Sequence, residues 1–228
     1  MKATRVAFKE NPLKAACHRL SMRNEILRQL VHLSGLAFIP IAWAAGQIAA
    51  SAIFLLIALW FLIYSEHVLS RERSSKNHIT KLESRLRDFA LVFERKETKR
   101  PFAGAFFLYL GLGLAFLIFP LNIAIAAGAV LAISDSLSTI IGMRLGRHKL
   151  LGKKTWEGSY AFFISAFLVC LLFFSPAAAL LAAIAATLAE LLPEYKALSR
   201  SRLRPLLNDN LLVPLMAGIS LSALMMIS

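Results

Sequence analysis

The sequence predicts an all-α polytopic membrane protein, with about seven spanning helices laid out as three hairpins and a last helix. Three observations predict it. First, 58% of the 228 residues are apolar and only 17% are charged, against roughly a quarter charged in soluble domains. Second, the apolar residues gather into stretches at about Leu30 to Ala45, Ile48 to Tyr64, Phe102 to Phe119, Leu121 to Ile141, Ser159 to Ser175, Pro176 to Leu192 and Leu211 to Ile227. Each approaches the ~17–25 residues a helix needs to cross the hydrocarbon layer, and none alternates as a barrel strand does. Third, the net charge of +13 is not spread along the chain. The four blocks Met1 to Arg28, Glu66 to Pro101, Gly142 to Gly158 and Glu190 to Leu207 hold 7, 10, 5 and 4 basic residues, which accounts for all 26. Charge confined between apolar stretches excludes a disordered chain and a nucleic-acid arm.

Taken in order, residues 1–28 read as a cytoplasmic basic amphipathic segment. Val6, Leu13, Leu20 and Leu27 share one stripe suited to anionic headgroups. The segment lacks the short apolar core and small-residue cleavage site of a signal peptide, so the chain is expected to enter the membrane uncut. Residues 29–228 then form a single integral-membrane domain. The turns at Gly46-Gln47, Pro120-Leu121-Asn122 and Ser175-Pro176 carry no basic residue. The positive-inside rule therefore puts the N-terminus and every basic loop on the cytoplasmic side, and the C-terminus on the opposite side. Pro120 and Pro176 suit helix starts, where a missing N–H costs nothing. Pro40 reads as a kink in the first helix, freeing the Leu36 carbonyl. Cys17 and Cys170 read as unpaired thiols.

Charges at helix depth mark a candidate site. Asp135 is embedded in an apolar helix, where an ionised carboxylate costs ~2.5–3.5 kcal/mol on insertion scales and needs a partner. It lies roughly 21 Å from the outer end of its helix, at 1.5 Å per residue, near the cytoplasmic third. Glu66 ends the second stretch, Glu190 the sixth, Asp209 opens the seventh, and Arg28 and His32 open the first, all at that level. Facing them are Arg147, Lys149, Lys153 and Lys154. Carboxylates with cations suit Mg²⁺ and an anionic, phosphate-bearing substrate. Interface charges reaching to water account equally well for Glu66 and Glu190. Pro214 removes a bond to the Asn210 carbonyl, which either leaves that oxygen free beside Asp209 or marks an ordinary first-turn proline. Gly152-Lys153-Lys154-Thr155 fails as a P-loop, because Gly146 is one residue too distant and no strand is expected before it. Gly142 and Gly146 have the spacing of close helix packing. His18, His67, His78 and His148 show no ligand spacing.

Asp135-Ser-Leu-Ser-Thr-Ile-Ile-Gly142-Met-Arg-Leu-Gly146-Arg147-His-Lys149, followed by Lys153-Lys154-Thr-Trp-Glu157-Gly158-Ser159, resembles the CTP-using membrane lipid enzymes. These are the phosphatidate cytidylyltransferases and the dolichol, phytol and CTP-dependent diacylglycerol kinases. Glu25-Ile-Leu-Arg28-Gln-Leu-Val-His32 is similar to the Arg-Lys-x-x-His opening of the polyprenol kinase branch. Glu97 to Gly104 is similar to its acidic loop, and Asn208-Asp209-Asn210-Leu-Leu-Val-Pro214 to its Asp-Asp-Asn-Leu-x-x-Pro ending. The Lys-Asp pair and Pro-Gly-His-Gly-Gly segment of the cytidylyltransferases are absent after Ser159, although the Lys-Lys-Thr-Trp-Glu-Gly stretch is shared with them. Gln29, Asn208 and Ser138 depart from the kinase pattern, which tends to have Lys, Asp and Ala there.

The resemblance implies transfer of the γ-phosphate of CTP to the hydroxyl of a polyprenol- or dolichol-type lipid alcohol in the bilayer. It implies Mg²⁺ on Asp135 and Asp209, and Lys153 and Lys154 on the β and γ phosphates. Ser159, Asn210, Arg147 and Lys149 are expected to assist binding, and Glu157 to act as the base. Arg28, His32, Glu66, Glu97 and Glu190 are further candidates. A cytidylyltransferase making a CDP-lipid, a CTP-dependent diacylglycerol kinase and a secondary transporter remain alternatives, and the oligomeric state is open.

Overall fold

The structure, a computed structural model, describes residues 29, 33, 36, 38–73, 102–195 and 206–225. Among these it is almost all helical. Helix α1 (Phe38–Ala45) breaks at Gly46, whose φ of 84° suits a residue without a side chain, and α2 (Gln47–Arg73) follows at once. Helix α3 (Ala103–Ile118) turns at Phe119 and Pro120 into α4 (Leu121–Ala129). That helix continues through a π-helical turn, Val130–Ser134, into α5 (Asp135–Leu145). A short hairpin, β1 (Lys149–Leu151) and β2 (Lys154–Thr155), leads into α6 (Trp156–Leu171). Helix α7 (Pro176–Leu191) ends in the 3-10 turn Leu192–Glu194, and α8 (Asp209–Met225) completes the bundle.

The continuous helix Leu121–Leu145 is the axis of the packing. Its most apolar stretch is 72% buried, against 28% and 39% for Gln47–Ser70 and Pro176–Glu194. These three helices are long and apolar enough to cross a membrane; the apolar helices Ala103–Ile118, Trp156–Leu171 and Asp209–Met225 are shorter. Trp43, Leu56, Trp60, Leu168, Leu172 and Leu188 point outward and are exposed. An apolar exterior of this extent suits hydrocarbon rather than water.

Local chemistry holds the layers together. Helices α2 and α3 meet along an aromatic seam, with Phe54 against Phe116 at 5.4 Å and Phe61 against Tyr109 at 5.8 Å between ring centroids. The Gln47 amide donates to the carbonyls of Phe116 and Phe119 at 2.8 and 2.6 Å, capping the end of α3, where carbonyls lack helical partners. Ser136, Ser165 and Thr187 satisfy their hydroxyls by donating to carbonyls four residues back.

Several expectations change. The chain is not purely α-helical, because Lys149 pairs with Thr155 and Leu151 with Lys154 in an antiparallel ladder. The strand β1 falls between Gly146 and Gly152, while helix α5 precedes Gly146, so the P-loop context is still not met. Pro40 lies within α1, and the kink expected there involves residues 34, 35 and 37, which lie outside the described residues. The Asn210 carbonyl that Pro214 releases is covered by α3, since Gly111 lies directly on it and on the Pro214 ring. The amphipathic stripe within 1–28 lies outside the described residues, as does part of the first apolar stretch.

The close approach of α3 to α8 gives a controlled test. A side chain at Gly111 would drive into the Asn210 carbonyl and come within 3.2 Å of the Leu211 Cα, whereas one at Gly104 meets nothing within 4 Å. Gly111→Ala should cost about 1–3 kcal/mol by overpacking, and Gly104→Ala should not destabilise, both read from unfolding in detergent.

Candidate functional site

Four elements that are remote in sequence meet at one polar cluster. Helix α5 supplies Asp135 and Ser138, β2 supplies Lys154, α7 supplies Glu190, and α8 supplies Asp209. Glu190 is fully buried and Asp135 is 3% exposed. The Glu190 Oε1 accepts from Lys154 Nζ and from Ser138 Oγ, each at 2.7 Å. Asp209 Oδ2 lies 3.8 Å from the same ammonium. Lys154 and Asp209 each retain 14% side-chain exposure, so the cluster opens on their side and closes on that of Glu190.

The electrostatics follow from that geometry. Burial pulls the Lys154 ammonium down from its usual range, but the carboxylates of Glu190, Asp209 and Asp135 together outweigh it and the net direction is up. The ammonium's stabilising contribution is therefore fully present below the ordinary value of 10.5 and is lost only as pH rises through the raised one.

The backbone explains how these groups come together. The π-turn Val130–Ser134 ends immediately before Asp135, and such turns widen a helix by one residue. Close packing brings α6 against α5: a Cβ on Gly158 would sit 3.0 Å from the Ser138 carbonyl and 3.3 Å from the Gly142 Cα. Gly142 thus plays the packing part its spacing suggests, while Gly146 packs on Thr155. Thr155 caps α6 by accepting from the Gly158 N–H at 3.2 Å. At the head of α8, the Asn208 side chain accepts from the Asn210 N–H at 3.0 Å, and the Asn210 amide donates to the Gly104 carbonyl at 3.2 Å. Asn210 thus ties α8 to the start of α3.

The remaining candidates are dispersed. Lys153 does not share the position of Lys154. Lys153 lies exposed in the hairpin turn, its N–H donating to Glu194 Oε2 at 3.2 Å, whereas Lys154 opens β2 and reaches Glu190. Arg147 and Lys149 are exposed along the same hairpin, and Glu66 is exposed on α2 outside the cluster. Ser159 is buried in the first turn of α6, and its Oγ has no hydrogen-bond partner among the described residues. Arg28, His32 and Glu97 lie outside the described residues.

Glu157 is engaged away from the role expected of it. His148 Nδ1 lies 2.8 Å from its Oε1, and the His148 N–H donates to both oxygens at 3.3 and 3.4 Å. Backbone N–H groups, its own foremost, and the His148 ring hold the carboxyl down to about 2. So low a value makes a poor proton acceptor at neutral pH, and the contacts make Glu157 a strut at the base of the hairpin.

Hard carboxylate oxygens on separate helices suit a magnesium ion. Among the described residues no three His, Cys, Asp or Glu side chains converge as a ready-made metal centre. The fully buried Glu190 Oε2 has no hydrogen-bond partner among the described residues, so the cluster has acceptor capacity beyond Lys154 and Ser138. Ser138 and Glu194 gave no sequence signal for their contacts, which arise only when α5 and the hairpin pack onto α7 and the turn that extends it.

No family profile matches the chain, and no solved structure matches it. An uncharacterized protein of Rickettsia prowazekii (strain Madrid E) is 28% identical over 197 residues, spanning 82% of this chain and 88% of that protein. The similarity is thus to most of a protein of comparable length.

Two outcomes follow from the charges. Lys154→Met strands the Glu190 carboxylate and should cost about 3–5 kcal/mol, whereas pairing it with Glu190→Met should recover much of the loss; thermal unfolding in detergent measures both. For Glu157, the depressed value means that its contribution to the hairpin is present above the ordinary 4.5 and lost as pH falls toward about 2. A carbon-13 titration of the Glu157 carboxyl should show that low value, and His148→Ala should raise it.

Proposed function

We propose that the chain is an integral membrane lipid kinase that transfers the γ-phosphate of CTP to the hydroxyl of a polyprenol- or dolichol-type lipid alcohol. The single observation that carries the reading is the cluster of Asp135, Lys154, Asp209 and Glu190 within an otherwise apolar bundle. Asp135, Lys154 and Asp209 belong to segments that resemble the lipid kinases, and they approach one another across 74 sequence positions. The proposal includes seven spans, with the basic blocks and the cluster on the cytoplasmic side and the C-terminus opposite.

Phosphoryl transfer depends mainly on positioning and charge neutralisation. The lipid hydroxyl oxygen forms a bond to the γ-phosphorus, the bond to the β–γ bridging oxygen breaks, CDP leaves, and the hydroxyl proton is released. Lys154, on the open side of the cluster, offers its ammonium to the phosphates. Arg147, Lys149 and Lys153 supply a positive field at the hairpin that attracts a nucleotide. Asp135 and Asp209 are the residues that would hold Mg²⁺, which when bound neutralises charge developing on the phosphate oxygens. An apolar tail stays among the helices while its hydroxyl reaches the polar end.

The shared Lys153-to-Gly158 stretch favours one second reading, a cytidylyltransferase in which a lipid phosphate attacks the α-phosphorus. Purified protein, Mg²⁺, a panel of lipid alcohols with diacylglycerol and phosphatidate, and CTP labelled separately at the α and γ positions decide between them. The kinase reading expects γ label alone on an alcohol, and on the order of 100-fold loss in folded Asp135→Asn. Label from the α position on phosphatidate would replace it with the cytidylyltransferase. Nucleotide-independent uptake into proteoliposomes with no lipid label would replace it with a transporter.

A further inference from the structure

The hairpin is gripped at two points by carboxylates from one end of one helix. Glu190 lies in the last turn of α7, and Glu194 closes the 3-10 turn that extends it. Residues four apart lie on one face of a helix. Glu190 Oε1 accepts from Lys154 Nζ at 2.7 Å, and Glu194 Oε2 accepts from the Lys153 N–H at 3.2 Å. The turn is shaped for the second contact. Gly152 has a φ of 54°, and the Glu194 carboxylate fills the space a Cβ would take there.

The two grips differ in what they do to an incoming anion. Glu190 is fully buried, whereas the Lys154 and Asp209 side chains each retain 14% exposure, so Glu190 stands on the closed side of the cluster and Lys154 on its open side, beside Asp209. A phosphate entering from the open side reaches Lys154 before Glu190, and Arg147, Lys149 and Lys153 are exposed on the same hairpin.

We propose that Glu190 and Glu194 are positioning residues that fix the hairpin on α7 and so aim the Lys154 ammonium at the phosphates of a nucleoside triphosphate. The assignment rests on the reading of Lys154 as a phosphate ligand. It gives the two acids opposite signatures. Glu190 both orients Lys154 and competes with phosphate for it. Neutralising Glu190 should therefore tighten anion binding while losing the aim. Glu194 touches only the backbone, so its loss should loosen the hairpin before any nucleotide is present.

The test uses the full chain in detergent, with inorganic triphosphate as the binding probe and hydrogen exchange of residues 147–156 as the structural readout. Glu190→Gln should bind triphosphate on the order of tenfold more tightly by calorimetry. Its kcat with CTP and a lipid alcohol should fall without a rise in KM for CTP, and Glu190→Asp should recover part of that kcat. Glu194→Ala should speed exchange across the hairpin on the order of tenfold, and Glu194→Gln, which still offers an oxygen to the Lys153 N–H, should restore slow exchange. Unchanged triphosphate affinity in Glu190→Gln, or unchanged exchange in Glu194→Ala, overturns the proposal. Should Glu190→Gln fail to fold, the exchange of the Glu194 variants decides. Triphosphate binding and exchange that behave as stated, with no lipid phosphorylated, would retire the kinase and leave the positioning assignment standing.

Discussion

An ammonium taken out of water in an apolar bundle must find a carboxylate, and the Lys154–Glu190 pair is the constraint on which the rest of the arrangement depends. Desolvating either charge alone is costly by several kcal/mol, and the pair is tolerated only with close geometry and added hydrogen bonds. Both conditions are met, since Glu190 Oε1 receives Lys154 and Ser138 at 2.7 Å each. The pair fixes the hairpin against α7, while Ser138 fixes α7 against α5. Asp209, 3.8 Å from the ammonium, brings in the head of α8. One ion pair thus sets the relative positions of four segments that the apolar packing of uniform Leu and Ala faces would specify only loosely.

The central helix shows how the chain accommodates this polarity. Ser134, Asp135, Ser136 and Ser138 are buried, while Leu137 between them is 39% exposed. That is the reverse of a helix in a water-soluble protein. It is the arrangement expected when the exterior is apolar and polar groups seek one another inside. The π-turn contributes to it. One additional residue in a turn rotates the remainder of the helix by roughly 100°, and the rotation falls immediately before Asp135. The glycines at 142 and 158 then let α6 approach α5 closely, with the Thr155 hydroxyl packed between them.

The helices were legible in the sequence because their signals are local. Apolar runs bounded by basic blocks, with Pro120 and Pro176 at helix starts, gave boundaries close to those observed, except that α2 runs on past Tyr64 to Arg73 and the fourth stretch is divided by a π-turn into α4 and α5. Asp135, Lys154 and Asp209 were legible as charges set in or beside apolar stretches. The illegible features depend on contacts between distant segments. The strands have three and two residues, too few for any alternating pattern to register. Lys153 and Lys154 look equivalent in sequence, and only the fold of the hairpin leaves one exposed in the turn and sets the other, at the start of β2, against Glu190. Glu157 looked like a free acid because its partner, His148, is brought to it by the same hairpin. The Asn210 carbonyl looked exposed because nothing local announces that Gly111, 99 positions away, would cover it.

A two-stranded ribbon of this size has little stability of its own, so its position must be imposed from outside, and carboxylates impose it. Glu157 holds its base through His148, Glu194 holds its turn, and Glu190 holds Lys154. The segment they hold also carries Arg147, Lys149 and Lys153. A positively charged hairpin held by acids is docked largely by electrostatics. The docking of its exposed parts should therefore respond to ionic strength and to competing anions, as exposed pairs do. The buried Lys154–Glu190 pair is screened far less. The hairpin thus combines an anchored inner end with an exposed, positively charged outer edge.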